Sequence, residues 1–200
     1  MRPTARRLLL ALLLAVPAVV PVGATTLLQM NLQDLCERSG RIFRGTVLSI
    51  TQGSVQAGGG ALPTLTYRFS VEETFLGTFT SSKGRQLAEM TTIGKIPSRQ
   101  EGALRRLPVL PELPRMKVGQ SYLLFVTAPS DAGLSVSVGL GQGCFHLEGS
   151  AAGRLEARNE FNNMGLFNGM TSSAALQAPP AGGAVPYSVL AGEIRALVGP

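Results

Sequence analysis

Cys36, Cys144 and His146 are the side chains best suited to chemistry, and each stands nearly alone: 200 residues hold two cysteines and one histidine. In "GCFHLEG" Cys144 and His146 are two positions apart, so a strand puts them on one face, about 7 Å apart along it. A thiolate nucleophile beside an imidazole base is the chemistry that pair would offer. No obvious group orients the imidazole. A Ser–His–Asp triad would need Asp34 or Asp131, the only aspartates. Asp34 sits where a helix cap belongs, and Asp131 reads as a turn residue. Glu72 and Glu73 are adjacent, so on a strand they face opposite ways, which is wrong for a cooperating acid and base. One histidine excludes a His-rich zinc site within the chain, and two cysteines do not complete a structural one. "GLGQG" and "AGGGA" have the glycines of a phosphate loop without its lysine, its Ser/Thr or a following helix. The expectation is therefore a non-enzyme with no catalytic residues, no metal and no cofactor.

The fate of the two thiols depends on compartment. "MRPTARR" is basic, "LLLALLLAVPAVV" is apolar, and "PVGA" ends in small residues, which are the three parts of a secretory signal peptide over 1–24. Pro17 and Pro21 break the apolar run below the ~20 residues of a spanning helix. No later stretch of the mature chain would span a bilayer. The expected location is periplasmic or secreted, with a mature start at Thr25. Removing Arg2, Arg6 and Arg7 from 18 basic side chains leaves 15 against 12 acidic ones, a charge of +3. That is too weak a field to imply a nucleic-acid partner. In an oxidising compartment a lone pair of cysteines is expected to bond, and Cys36–Cys144 is the one pairing available. A loop of ~100 residues closed in this way would contribute about 4–5 kcal/mol, less any strain.

Several elements must position these residues. Asn31 caps a short helix with Asp34 at its third position, and Leu32, Leu35 and Cys36 fall on one face. "RIFRGTVLSIT" reads as a strand whose Gly45 marks a bulge or a close backbone approach. "TLTYRFSVEE" alternates Leu65, Tyr67, Phe69 and Val71 against polar neighbours, the pattern of a half-buried antiparallel strand. "QLAEMTTI" is a weaker strand, and "SYLLFVTA", apolar on both faces, reads as the central one. "LSVSVGL" alternates again. In "GCFHLEG", Phe145 and Leu147 would face inward and Cys144 outward, toward a covering helix that offers Cys36. Pro108, Pro111 and Pro114 stiffen a basic surface loop that carries Arg105 and Arg106. The expected organisation is a β-barrel domain over 25–158 with core strands at about 41–148. An irregular linker over 159–186 and a C-terminal amphipathic helix over 187–198 follow, the latter striped with Leu190, Ile194, Leu197 and Val198.

Short strands without βαβ alternation, with one helix at each end packed outside, describe a mainly β protein built on a small closed or nearly closed barrel. A Cys-bearing helix, then "SGRIFRGTVLSI", "YRFSVEETFLG", "VGQSYLLFV" and a Cys-bearing last strand resemble the netrin-like module. That module is the OB-type barrel shared by the tissue inhibitors of metalloproteinases. The order "F.G.V", "V.E.F.G", "GQ.YLLF" also resembles a group of uncharacterised exported bacterial proteins. The likeness runs from Leu35 to about Glu148. The inhibitors carry more cysteines, and this chain keeps only the helix-to-last-strand tie. The resemblance implies an exported binding or scaffold module whose partner is a protein or cell-envelope component. It also implies an alternative, inhibition of a secreted zinc metalloprotease by the mature N-terminus, where the α-amine and carbonyl of the first residue coordinate the zinc. Thr25 and Thr26 would then be the contact residues. Arg105 and Arg106 are the candidates for contact through the basic loop.

Overall fold

Two 17-residue strands form the spine of the structure, β1 (Arg41–Ala57) and β2 (Gly60–Leu76), paired antiparallel over almost their whole length. The computed structural model describes residues 28–57, 60–95, 99–101, 104–106, 113–149, 154–172 and 182–199. The expected leader, Thr25, Thr26 and the side chains of Arg105 and Arg106 lie outside the described residues.

A short helix, α1 (Leu32–Glu37), precedes β1, and β3 (Thr80–Ser82), β4 (Arg85–Ile93), β5 (Arg99–Glu101), β6 (Leu104–Arg106) and β7 (Ser121–Val126) follow β2. A 3-10 turn at Leu140–Gly143 leads into β8 (Cys144–Gly149), and β9 (Leu155–Asn159), β10 (Val185–Pro186) and α2 (Tyr187–Val198) complete the chain. Eight strands make one antiparallel sheet in the order β10-β9-β8-β7-β1-β2-β4-β3, while β5 and β6 form a separate hairpin. Among the described residues no helix is long and apolar enough to cross a membrane.

Local sequence explains the main elements. Asn31 and Asp34 make a reciprocal capping box: the Asn31 Oδ1 accepts the Asp34 N–H at 2.9 Å, and the Asp34 carboxylate accepts the Asn31 N–H at 3.1 Å. Two orphan donors of a six-residue helix are thereby satisfied. Gly45 sits where β1 steps in register against β2, and a Cβ there would lie 2.7 Å from the Ser70 carbonyl oxygen, so only glycine fits. "LSVSVGL" does not become a full strand. Thr127 and Val138 donate backbone bonds to Val136 and Phe125. Gly139, at φ 60°, then turns the chain into the 3-10 turn. The Ser135 N–H donates to the Thr91 carbonyl at 2.8 Å, so this segment touches β4 as well as β7. Strands β7 and β4 are three places apart in the ladder, roughly 14 Å if flat, so this bond requires the sheet to curl. Among the described residues no ladder closes it, and the expected closed barrel is, as hydrogen-bonded architecture, an open sheet with edges at β10 and β3.

The core has two halves, one on each face of β7. Leu123 and Phe125 join Ile42, Phe145 and Ala157 under the helices, packed by Leu32, Leu35 and Cys36 of α1 and by Leu190, Ala191 and Ile194 of α2. Tyr122, Leu124 and Val126 face the other way, with Phe43, Val47, Tyr67, Phe69, Met90 and Cys144. Strand β7 is apolar on both sides because both sides are covered.

This division overturns the expected disulfide. Cys144 lies opposite Leu124 and Phe145 opposite Leu123, so α1 covers the Phe145 face while Cys144 points into the other half of the core. Cys36 and Cys144 are both free thiols, both buried, on opposite faces of the sheet. The expectation rightly put Cys144 and Phe145 on opposite faces of β8 but put the helix, and Cys36 with it, on the wrong one.

The segment over 159–186, expected as linker, is built into the fold where it is described. Successive turns follow Asn159, and Leu166 is buried beneath α1 and α2.

Candidate functional site

The chain just after the expected mature start is held by side-chain amides. Gln142, buried within the 3-10 turn, accepts the Met30 N–H at 2.8 Å and donates to the Leu28 carbonyl at 2.9 Å. One amide thus grips two peptide groups of the N-terminal segment. Gln29 donates to the Met164 carbonyl, and the Asn31 Nδ2 donates to the Asn168 carbonyl at 2.8 Å. The Leu32 N–H donates to the Leu166 carbonyl at 2.7 Å. Residues 28–32 therefore lie against the turns of residues 160–168.

A second amide pair sets the shape of those turns. The Asn159 Oδ1 accepts the N–H groups of Phe161 and Asn163, and its Nδ2 donates to the Gln142 carbonyl at 3.0 Å. The Asn163 Oδ1 accepts the Asn159 N–H at 2.9 Å, while its Nδ2 donates to the Ala157 and Gly183 carbonyls at 2.9 and 2.7 Å. Asn162 and Asn163 have φ of 54° and 57°, the left-handed region that asparagine tolerates better than other side chains. Buried donors and acceptors are mutually satisfied, which fixes one conformation. On this frame Leu28, Phe161 and Met164 remain exposed, Leu28 at 66% and Met164 at 57%. The result is an apolar corner displayed by a polar, hydrogen-bonded base.

A groove of about 470 Å3 lies elsewhere on the sheet, lined in part by Arg44, Glu72, Gln120, Ser121, His146 and Glu148. Glu72 and Glu73 do not face apart here. Arg44 lies opposite Glu73 and Gly45 opposite Val71, so Glu72 is the extra residue of a bulge. Both carboxylates enter one charged cluster. Glu72 accepts the Thr46 hydroxyl and lies 3.2 Å from the Arg44 Nε, off the hydrogen-bonding axis, so that contact is an ion pair. Glu73 accepts the Tyr187 hydroxyl at 2.5 Å and pairs with Arg195 of α2. The Arg44 guanidinium stands 5.1 Å from the Tyr187 ring centroid. Burial, then the bond to Glu73, pushes the Tyr187 phenol above its usual pKa. These groups answer one another and dock α2 onto β1 and β2.

His146 sits at the groove's rim, edge-on to Tyr122 with ring centroids 5.0 Å apart. Cys144 shares its strand face but is wholly buried, and burial first, then the charge of Glu160, drives its thiol well above the usual range. Burial, then Glu37, pushes Cys36 up to about 12. Neither thiol presents a thiolate nucleophile near neutral pH. Asp34 is engaged in its cap and Asp131 lies in a turn. Gly143 of "GLGQG" is a packing glycine, because a Cβ would run into the Val138 carbonyl. Among the described residues no three His, Cys, Asp or Glu side chains converge as a metal site requires.

Of the expected contact residues, Thr25 and Thr26 lie outside the described residues, three and two positions before Leu28, and Arg105 and Arg106 belong by backbone to β6. Sequence reasoning missed Gln142, Asn159 and Asn163. The available signal was "NEFNN", where clustered asparagines invite Asx turns and positive φ. No family model matches this chain, and neither a curated protein nor a solved structure matches it.

Proposed function

We propose that the protein is an exported, non-enzymatic binding module on a nearly closed OB-type barrel of netrin-like kind. It engages a protein of the cell envelope or extracellular space through the corner formed by Leu28–Asn31 and the turns of residues 160–168. The observation that carries this reading is the use of five side-chain amides, Gln29, Asn31, Gln142, Asn159 and Asn163, to hold a corner whose Leu28, Phe161 and Met164 stay in solvent. Preorganised apolar groups lose little entropy on binding, which is how a small contact becomes specific. Support for the barrel comes from the spatial ring β1, β2, β4, the 134–138 segment and β7, joined at one point by Ser135 and Thr91.

The test is affinity capture from the native exported fraction with the wild-type protein, a Phe161→Asp/Met164→Asp variant and a Val189→Asp variant on α2. A partner retained by the wild type and by Val189→Asp but lost from the corner variant is the expected result. Retention by all three would refute the corner, and hydrolytic turnover that requires His146 would refute the non-enzymatic reading.

The same clamp favours a second reading. The anchored segment begins at Leu28, three residues after Thr25, so a free α-amine at Thr25 would project from a held base. Inhibition of a secreted zinc metalloprotease would then run through Thr25 and Thr26. Adding one alanine before Thr25 should abolish such inhibition, and inhibition that survives the addition refutes zinc chelation by the terminus.

A further inference from the structure

The outer edge of β1 stops being paired halfway along. Strand β7 covers it from Arg41 to Thr46, and Gly119 and Gln120 add one bond each to Val47. From Leu48 to Ala57, among the described residues, β1 has no outer partner; Leu48 is the extra residue of a bulge, and Ser49 to Ala57 pair only with β2 on the inner side. Its outer N–H and C=O groups form a row ten residues long, open to another strand.

The two terminal strands of the sheet are blunted. Strand β10 is two residues long and contains Pro186, and β3 is three residues long and runs into Lys83 and Arg85. On the β2 side of the hairpin, the Pro63 carbonyl is taken by the Gly94 N–H. The β1 overhang has none of these devices. It contains no proline, and no charged residue occurs anywhere between Arg44 and Arg68. Beside it stand exposed aliphatic side chains, Leu48, Ile50 and Val118, the last at 58% exposure. A free ladder edge and an apolar cluster at the same place are independent features that point the same way.

We propose that this edge joins two copies of the chain, their Leu48–Gln56 segments pairing antiparallel across a two-fold axis. A second copy is favoured over a foreign strand because the segment complements itself. It is uncharged, so antiparallel self-pairing sets no like charges opposite one another. A two-fold contact of this kind also closes and leaves no further free edge of β1. The product is one continuous sheet running through both β1 strands, with Leu48, Ile50 and Val118 of each copy flanking the seam.

Sedimentation of the purified protein across a concentration series tests this. The wild type should show twice the monomer mass, a Leu48→Lys/Ile50→Lys variant should show half of that, and Val189→Lys should remain dimeric. A wild type that is monomeric throughout, or a dimer indifferent to the paired lysines, overturns the proposal. Single cysteines at the exposed positions Ile50, Gln52 and Ser54 give a readout that does not depend on how the lysine variant folds, because both native thiols are buried. Under mild oxidation at least one of Ile50→Cys, Gln52→Cys and Ser54→Cys should yield a covalent dimer, whereas none forming one overturns the proposal.

Discussion

Replacing Asn163 with alanine should be among the most damaging single changes outside the apolar core. The side chain makes three hydrogen bonds at a site only 5% exposed. Its loss orphans the buried Asn159 N–H, which costs about 1–3 kcal/mol, and deprives the Ala157 and Gly183 carbonyls of a donor, at roughly 1 kcal/mol each. Alanine at φ 57° adds about 1 kcal/mol of left-handed strain. Allowing for relaxation, the expected total is about 3–5 kcal/mol, a large share of a domain's usual 5–15 kcal/mol. Urea unfolding followed by circular dichroism measures it as a fall in midpoint at constant slope. Two companion variants separate the contributions. Asn163→Gly loses the same bonds without the strain, so it should be milder than alanine by about 1 kcal/mol. Asn163→Asp keeps an acceptor for Asn159 but turns a charge toward two carbonyls, so it should cost at least as much as alanine. An alanine variant within about 1 kcal/mol of wild type, or a glycine variant no milder than alanine, would refute the reasoning.

Thiol labelling of the protein should find no reactive cysteine in the native state and two after denaturation without reductant; a protein that stays unlabelled when denatured would restore the disulfide. Stability should hold up to about pH 9 and fall above it. Cys36, Cys144, Tyr67, Tyr122 and Tyr187 all have folded pKa values raised by burial, so their contribution is complete below the unfolded pKa and is lost as pH rises toward the folded one, about 12 for Cys36. A urea midpoint that rises between pH 9 and 11 would contradict this. Tyr187→Phe removes one hydroxyl from a carboxylate that keeps Arg195, so it should cost about 1 kcal/mol and loosen α2, seen as faster amide exchange there.

Elements with a short-range cause were legible in the sequence. The capping box of α1 needs only Asn31 and Asp34, the alternation in β2 needs only its own period of two, and the two-sided burial of β7 follows from an unbroken apolar run. What depended on distant partners was not. Which face of β8 receives α1 is decided by α2 and Leu166, many residues away, so the cysteine pairing could not be derived from Phe145 and Cys144 alone. The opposed reading of Glu72 and Glu73 failed because one bulge residue cancels strand alternation, and only the pairing partner reveals the bulge. The amide base of the corner was hidden for a related reason. Polar residues in an irregular stretch read as linker unless their carbonyl and N–H partners are known, and those of Asn163 include Gly183, 20 positions on.

The hold of residues 28–32 on the turns of residues 160–168 also orders events during synthesis. The Leu32 N–H waits for the Leu166 carbonyl, and Asn31 for Asn168, so these two bonds at the start of α1 cannot form until more than 130 further residues exist. At ribosomal rates of about 5–20 residues per second, that interval is roughly 7–27 s. Throughout it α1 is a six-residue helix without the carbonyls of Leu166 and Asn168, far below the length at which a helix persists alone in water. Residues 29–32 therefore gain their last hydrogen bonds only when the turns of residues 160–168 close over them.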